Sequence, residues 1–336
     1  MLALLMLLQV APPAAPPPRS AQLTRFLEQG VGLDTAQLAA LERGEAVVKV
    51  LPSSGRDVAL FGIITVPRSR ASFTRGVRYI PAALRAPKRT LGLFSNPAVE
   101  ADMAAFMVSK ADADALEDCK PGHCALKLPA AEMQRIRQQT DWSAPNLEAQ
   151  LSAYGRRRIA QYVNDYRARG DSVMVGYDDK GNLTRRSSEA FAAQLAQSPY
   201  IFGNVPSLYT YLNEYPRGSL PNATETIYWA VDTLPKIRPI LSVAHYLVYT
   251  PAELPTVTIV ATMLIYANHY FEAALDMQAA IDRGSGIYFL VLRRLRFDNL
   301  PGTVLNIRGR VINGLRDGLL QQLQLNQQAA ATPPKN

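Results

Sequence analysis

The stretch "TVTIVATMLIYANHYF", residues 256–271, decides the class of fold. Threonine, valine, isoleucine and tyrosine crowd it. Such side chains pack well on a pleated strand and lose rotamer freedom in a helix. The stretch is apolar enough to suggest a membrane span, but Asn268, His269 and Glu272 interrupt it before the ~20 apolar residues that a bilayer requires. It reads as a buried strand. Its neighbours repeat the pattern: "TETIYWAVD" (224–232), "ILSVAHYLVYTP" (240–251) and "GIYFLVLRRLRFDN" (286–299). Pro and Gly turns separate them, as expected for a sheet of long, curved strands. Residues 270–282 fit a strand or a helix.

Working outward, "EAVVKVLPSSGRDVALFGIITVP" (45–67) holds two β-rich runs, 46–51 and 58–66, around a Pro-Ser-Ser-Gly loop. That is a hairpin signal. Residues 21–43 read as helix, broken at Gly30 and Gly32 and restarted by an Asp34-Thr35 cap. In the middle, "NLEAQLSAYGRRRIAQYVNDYRAR" (146–169) carries Leu147, Leu151, Tyr154, Ile159, Tyr162 and Tyr166 on a helical stripe, and Gly170 stops it. "DSVMVGYDDKGNLT" reads as a hairpin, and its acidic turn lacks the spacing and final glutamate of a calcium loop. "SSEAFAAQLAQSP" is a helix, and 199–221 a loop over the core. "TVLNIRGRVINGLRDGLLQQLQL" (303–325) is a long amphipathic helix. Its Gly309, Gly314 and Gly318 suggest close approach of sheet or ligand. Residues 327–336 read as a disordered tail. The expectation is an α+β chain: a curved antiparallel sheet packed around a long C-terminal helix in one domain, 21–326, with a large mixed helical insertion at about 96–223.

This order of elements resembles the helix-grip fold of the START-like lipid-binding and polyketide-cyclase superfamily. The likeness is strongest at "GEAVVKVL…VALFGIITVPRSRASF", where a strand ending Val66-Pro67 leads into a helix carrying Phe73. It covers 45–95 and 224–325. The resemblance implies a sheet wrapped round the last helix and an apolar cavity between them, lined by Tyr228, Val243, Leu247, Ile265 and Val311. The chain as a whole also looks like an exported bacterial protein.

Composition bounds the partners. The chain has 336 residues, 48% hydrophobic and 19% charged, with a formal charge of +8. A basic balance suits anionic membranes, nucleic acids or acidic polymers. "MLALLMLLQVAPPAAPPPRSAQ" opens with an apolar run, Leu2–Val10, too short to span a bilayer, followed by a stiff proline linker. It resembles a secretory signal without the usual basic start, which predicts a periplasmic or extracellular protein. Residues 67–89 hold seven basic residues and no acidic one. They form a candidate membrane-surface contact through Arg75, Arg78 and Arg85. "YGRRR" and "RRLRF" mix arginine with aromatics, but the signal-like start favours the membrane over nucleic acid as partner.

"DCKPGHC", 118–124, contains both cysteines. Four spacers exclude the haem-attachment and thioredoxin patterns. Cys119, His123 and Cys124 supply at most three of the four ligands that a zinc site needs. In an exported protein the pair reads as a disulfide, Cys119 to Cys124, over a Pro121-Gly122 turn, with no metal. No nucleophile elbow, P-loop, dinucleotide fingerprint or zinc-protease motif occurs, and no cofactor is expected. "AHY" and "NHY" repeat at 244–246 and 268–270; if both lie on neighbouring strands, His245 and His269 meet, and with Glu272 they are the candidate set for a hydrolase- or cyclase-type enzyme. Glu225, Asp232 and Asp298 are further carboxylates near strand ends without a sequence partner. The reading is non-catalytic binding or transport of a hydrophobic, lipid-like ligand in the bacterial envelope. The alternatives are that enzyme and a structural envelope or interaction protein.

Overall fold

The computed structural model describes residues 19–53, 55–78, 89–174, 176–181, 184–233, 237–300 and 306–331. The signal-like segment up to residue 18, and Arg85, lie outside the described residues. Among the described residues ten strands follow in chain order: β1 (Val47–Leu51), β2 (Asp57–Val66), β3 (Arg89–Leu93), β4 (Gly176–Tyr177), β5 (Arg185–Arg186), β6 (Thr224–Asp232), β7 (Ile240–Tyr249), β8 (Val257–Ala267), β9 (Phe271–Asp282) and β10 (Ile287–Phe297). Eight of them make one antiparallel sheet in the order β1-β2-β10-β9-β8-β7-β6-β3. The meander β6 to β10 is its body. The N-terminal hairpin joins it when β10 pairs with β2, Ile287 opposite Val66. Irregularities at Val243/Ala244 and Arg296/Phe297 bend the ladders there. Residues 271–282 of the ambiguous stretch resolve as strand, and Tyr270 lies in the turn before it at φ +65°.

The helices are α1 (Ala21–Arg25), α2 (Thr35–Glu42), α3 (Arg70–Val77), α4 (Lys110–Glu117), α5 (Ala130–Gln139), α6 (Leu147–Arg169), α7 (Ser187–Ala196), α8 (Pro199–Phe202), α9 (Pro206–Glu214) and α10 (Ile307–Ala331). The class is α+β with a long C-terminal helix, as the sequence indicates. The segment between the paired strands β3 and β6 carries α4 to α9 and the small β4–β5 hairpin.

Strands β2 and β7 are buried almost continuously rather than on alternate residues. The cause is cover on both faces of the sheet. Phe61, Ile63, Trp229, Val243, Leu247, Met263 and Leu290 belong to a core shared with α1, α2 and α6 to α9. Leu60, Ile64, Tyr228, Tyr246, Phe289 and Val291 belong to a second core with α3 and α10. At this second face α10 lies over β1 and β2, at one edge of the sheet. Leu319 and Leu323 pack onto Gly62, where an added Cβ would meet Leu323 Cδ1 at 2.9 Å. Among the described residues no helix is long and apolar enough to cross a membrane.

Three local expectations are corrected. Residues 199–221 are not loop throughout: Pro199 and Pro206 sit in the first turns of α8 and α9, where their missing N–H is no loss. The helix α10 continues through 327 to Ala331 because the Gln327 amide donates to the Gly44 and Thr65 carbonyls at 2.9 Å. Gly314 and Gly318 serve no close approach, since a Cβ at either would meet nothing within 4 Å.

Candidate functional site

An apolar cavity of about 280 Å³ lies under the helices of the segment between β3 and β6. Its far wall is the sheet, through Val231, Leu241 and Tyr266; its near walls are α4, α5 and α6. Helix periodicity presents the residues. Leu151, Tyr154, Ile159 and Tyr162 recur along one side of α6, and Ile136 faces them from α5. Leu116 and Leu126 close the side beside the disulfide. Met107, 56% exposed, and Arg135 stand at the rim.

One polar knot is set into this apolar lining. Glu132 on α5 accepts from Tyr154 Oη at 2.6 Å and from Arg158 through Nε at 2.9 Å and Nη2 at 3.0 Å. Arg135 adds a third donor at 2.6 Å. Burial opposes the carboxylate charge, but the hydrogen bonds from Arg158 and Tyr154 outweigh it and hold the carboxyl below its usual range. Burial first, and then its hydrogen bond to Glu132, push the Tyr154 phenol well up. Asp112, capped at the start of α4 by Ser109, also borders the cavity. Its Oδ1 accepts from Arg238 at 2.9 Å and faces His269 Nε2 at 3.1 Å. Burial again works against the charge, and His269 and Arg238 again prevail, so the carboxyl stays low. The site therefore combines an apolar floor with charged side chains that are paired with one another.

The disulfide is present: Cys119 and Cys124 are bonded with Cα atoms 4.4 Å apart. Gly122, at φ +81°, turns the loop, and the His123 N–H donates to the Lys120 carbonyl at 2.9 Å. His123 is exposed at the turn. The loop docks on the acidic turn that follows β4: Gly122 N donates to Asp178 O at 2.7 Å and Cys124 N to Asp179 O at 2.9 Å. The strap 125–129 then crosses the end of β8, with Lys127 N bonded to Asn268 O at 3.0 Å.

The predicted cavity residues do not share a cavity. Tyr228 and Val311 lie in the core under α3 and α10, while Val243, Leu247 and Ile265 lie in the core on the opposite face. Successive strand residues point to opposite sides, and the five fall on both. The predicted catalytic set is likewise dispersed. His245 faces Glu225 at 3.1 Å, His269 faces Asp112, and Glu272 pairs with Arg56 and Arg296. Among the described residues the two histidines share no carboxylate. Of the other carboxylates, Asp232 takes both arms of Arg89 at 2.7 and 2.9 Å, and Asp298 meets the buried Lys127 at 2.6 Å. The arginines of "RRLRF" are also engaged: Arg293 with Asp276, Arg294 with the Gln197 carbonyl, and Arg296 with Asp57. Among the described residues no three His, Cys, Asp or Glu side chains are grouped to hold a metal ion. Arg75 and Arg78 are exposed on α3 and its C-terminal cap.

Sequence reasoning found the α6 stripe but missed Asp112, Glu132, Arg158 and Arg238. The available signal was Glu132 beside Met133 on the apolar side of a short helix, since a buried acid there demands a partner. Comparison of the chain with protein-family models, with curated proteins and with solved structures gives no match.

Proposed function

We propose that this protein binds a small hydrophobic or lipid-like molecule, without chemistry, in the cavity walled by α4, α5 and α6. The observation that carries the reading is the apolar cavity itself, about 280 Å³ and lined mainly by aliphatic and aromatic side chains, with Glu132 already neutralised by Arg158. Such a floor gains roughly 25 cal/mol per Å² of ligand surface removed from water, less the cost of ordering the ligand. An envelope location is supported by the disulfide, which persists in oxidising compartments, and by the signal-like start of the sequence. Native mass spectrometry of protein purified from its own host tests the reading: a co-purifying apolar mass lost in organic solvent is expected. Protein that flies bare and takes up no added fatty acid or alcohol counts against it.

A contact with an anionic membrane surface belongs to the same reading. Arg75 and Arg78 would contribute about 1 kcal/mol each near such a leaflet. Sedimentation with anionic liposomes should fall with added salt and in Arg75→Ser/Arg78→Ser protein. Binding indifferent to both would rule the contact out.

A further inference from the structure

We propose that a second cleft, between the end of α6, the 94–97 turn, the end of α9 and the start of β6, binds a zwitterion of amino-acid type, its ammonium on Glu225 and its carboxylate on Arg167. The cleft holds about 440 Å³ and shares no lining residue with the apolar cavity.

The argument starts from two opposite charges that face one cleft without touching. Arg167 is pinned from behind: Nη1 donates to the Ser95 carbonyl at 2.5 Å and Nη2 to the Phe94 carbonyl at 3.4 Å. Its Nε makes no hydrogen bond among the described residues. Glu225 is pinned from the other side. Its Oε2 takes the Tyr211 hydroxyl and faces His245 Nε2 at 3.1 Å, while Oε1 takes no hydrogen bond among the described residues. Behind it, His245 is 1% exposed, and its Nδ1 faces the buried Tyr166 hydroxyl at 3.1 Å. A carboxylate can only accept, so Nε2–H donates to Glu225. The hydrogen bond from His245, reinforced by that from Tyr211 against partial burial, holds the carboxyl below its usual range.

Opposite charges on mobile side chains close into a pair. Here both are clamped by their own scaffolds, and no ion pair joins them. A dipolar ligand completes both at once. Tyr215 supplies a wall: its ring stacks on Tyr166 at 5.0 Å, and an ammonium over a tyrosine face gains a cation–π contact. Leu220, Pro216 and Ala223 give the cleft an apolar side for the ligand's own side chain. That combination selects an amino acid with an apolar or aromatic side chain over a bare amine or a bare acid.

Isothermal titration of the full chain with phenylalanine, tyrosine and leucine tests this. At least one is expected to bind at neutral pH. The matched analogues 2-phenylethylamine and 3-phenylpropionate, each lacking one charge, should bind at least about tenfold more weakly than phenylalanine if that is the ligand. Glu225→Gln and Arg167→Met should each weaken binding by a similar factor with the circular dichroism spectrum unchanged. Should either variant fail to fold, the analogue series on the unaltered protein decides. Binding of none of the three amino acids, or equal binding of an amino acid and its one-charge analogues, would overturn the proposal. Neither result bears on the apolar cavity.

Discussion

Glu132 concentrates the electrostatics of the apolar cavity on one side chain. It is 11% exposed, while its partners Arg158 and Arg135 are 40% and 48% exposed, so solvent screens part of each pairing. Replacing it with glutamine should lower stability by about 1–2 kcal/mol at neutral pH. The sign of the pH dependence follows from its lowered carboxyl. The unfolded glutamate, at the ordinary 4.5, takes up a proton before the folded one does. The stabilisation is therefore complete above that value and is lost as pH falls through the folded one. Urea denaturation across pH should show the gap between the two proteins closing in acid; a gap independent of pH would mean that the charge is not the cause. Lys127 is the opposite case. Burial lowers its ammonium despite Asp298 beside it. Lys127→Met leaves Asp298 buried and unpaired, at a cost of about 3–5 kcal/mol, and Lys127→Met/Asp298→Asn should recover much of it. Equal losses in the single and double variants would deny the coupling. Neither knot is legible in the sequence, because Glu132 and Arg158 are 26 residues apart and Lys127 and Asp298 are 171 apart. Only the fold brings them together. What a single residue type can announce, a cysteine pair around Pro-Gly, was readable.

At the scale of elements, the disulfide fixes the wall formed by Leu116 and Leu126. Its loop closes over a sequence separation of 5, so its entropic contribution is modest, about 2 kcal/mol. Cys119→Ser/Cys124→Ser protein should stay folded but lose protection from hydrogen exchange in 116–128 and in the docked 178–181 turn. Uniform loss across the sheet would contradict a local role. On the opposite face α10 is seated by Leu319 and Leu323 against Gly62. Gly62→Val puts methyls where those leucines lie and should cost about 1–3 kcal/mol, read as a lower melting temperature with faster exchange in α10. An unchanged melting temperature would show that the helix can shift without loss. The elements themselves were largely legible: the end of α6 follows from Gly170, and the strands from their β-branched runs. Side-chain facing was not. "VALFGII" is buried on both sides, so apolar content could not say which residue turns toward α10 and which toward α6.

For the whole molecule, the sheet is a partition with two unlike sides. One side carries α3 and the edge-seated α10. The other carries the helices between β3 and β6, and the apolar cavity lies there. The helix-grip resemblance directed attention to the C-terminal helix; the cavity instead lies on the opposite face of the sheet, among α4, α5 and α6. A cavity needs walls that cannot collapse, and these are braced by the Glu132–Arg158 pair, the Asp112–Arg238 pair and the disulfide. The direct test of ligand binding is fluorescence titration with the neutral probe N-phenyl-1-naphthylamine, on the unaltered protein and on Ile159→Trp, which fills the cavity from α6. Saturable binding, displaced by a fatty alcohol and weakened at least about tenfold by the tryptophan with the fold intact, is the expected result. Absence of binding, or the same affinity in both proteins, would contradict it.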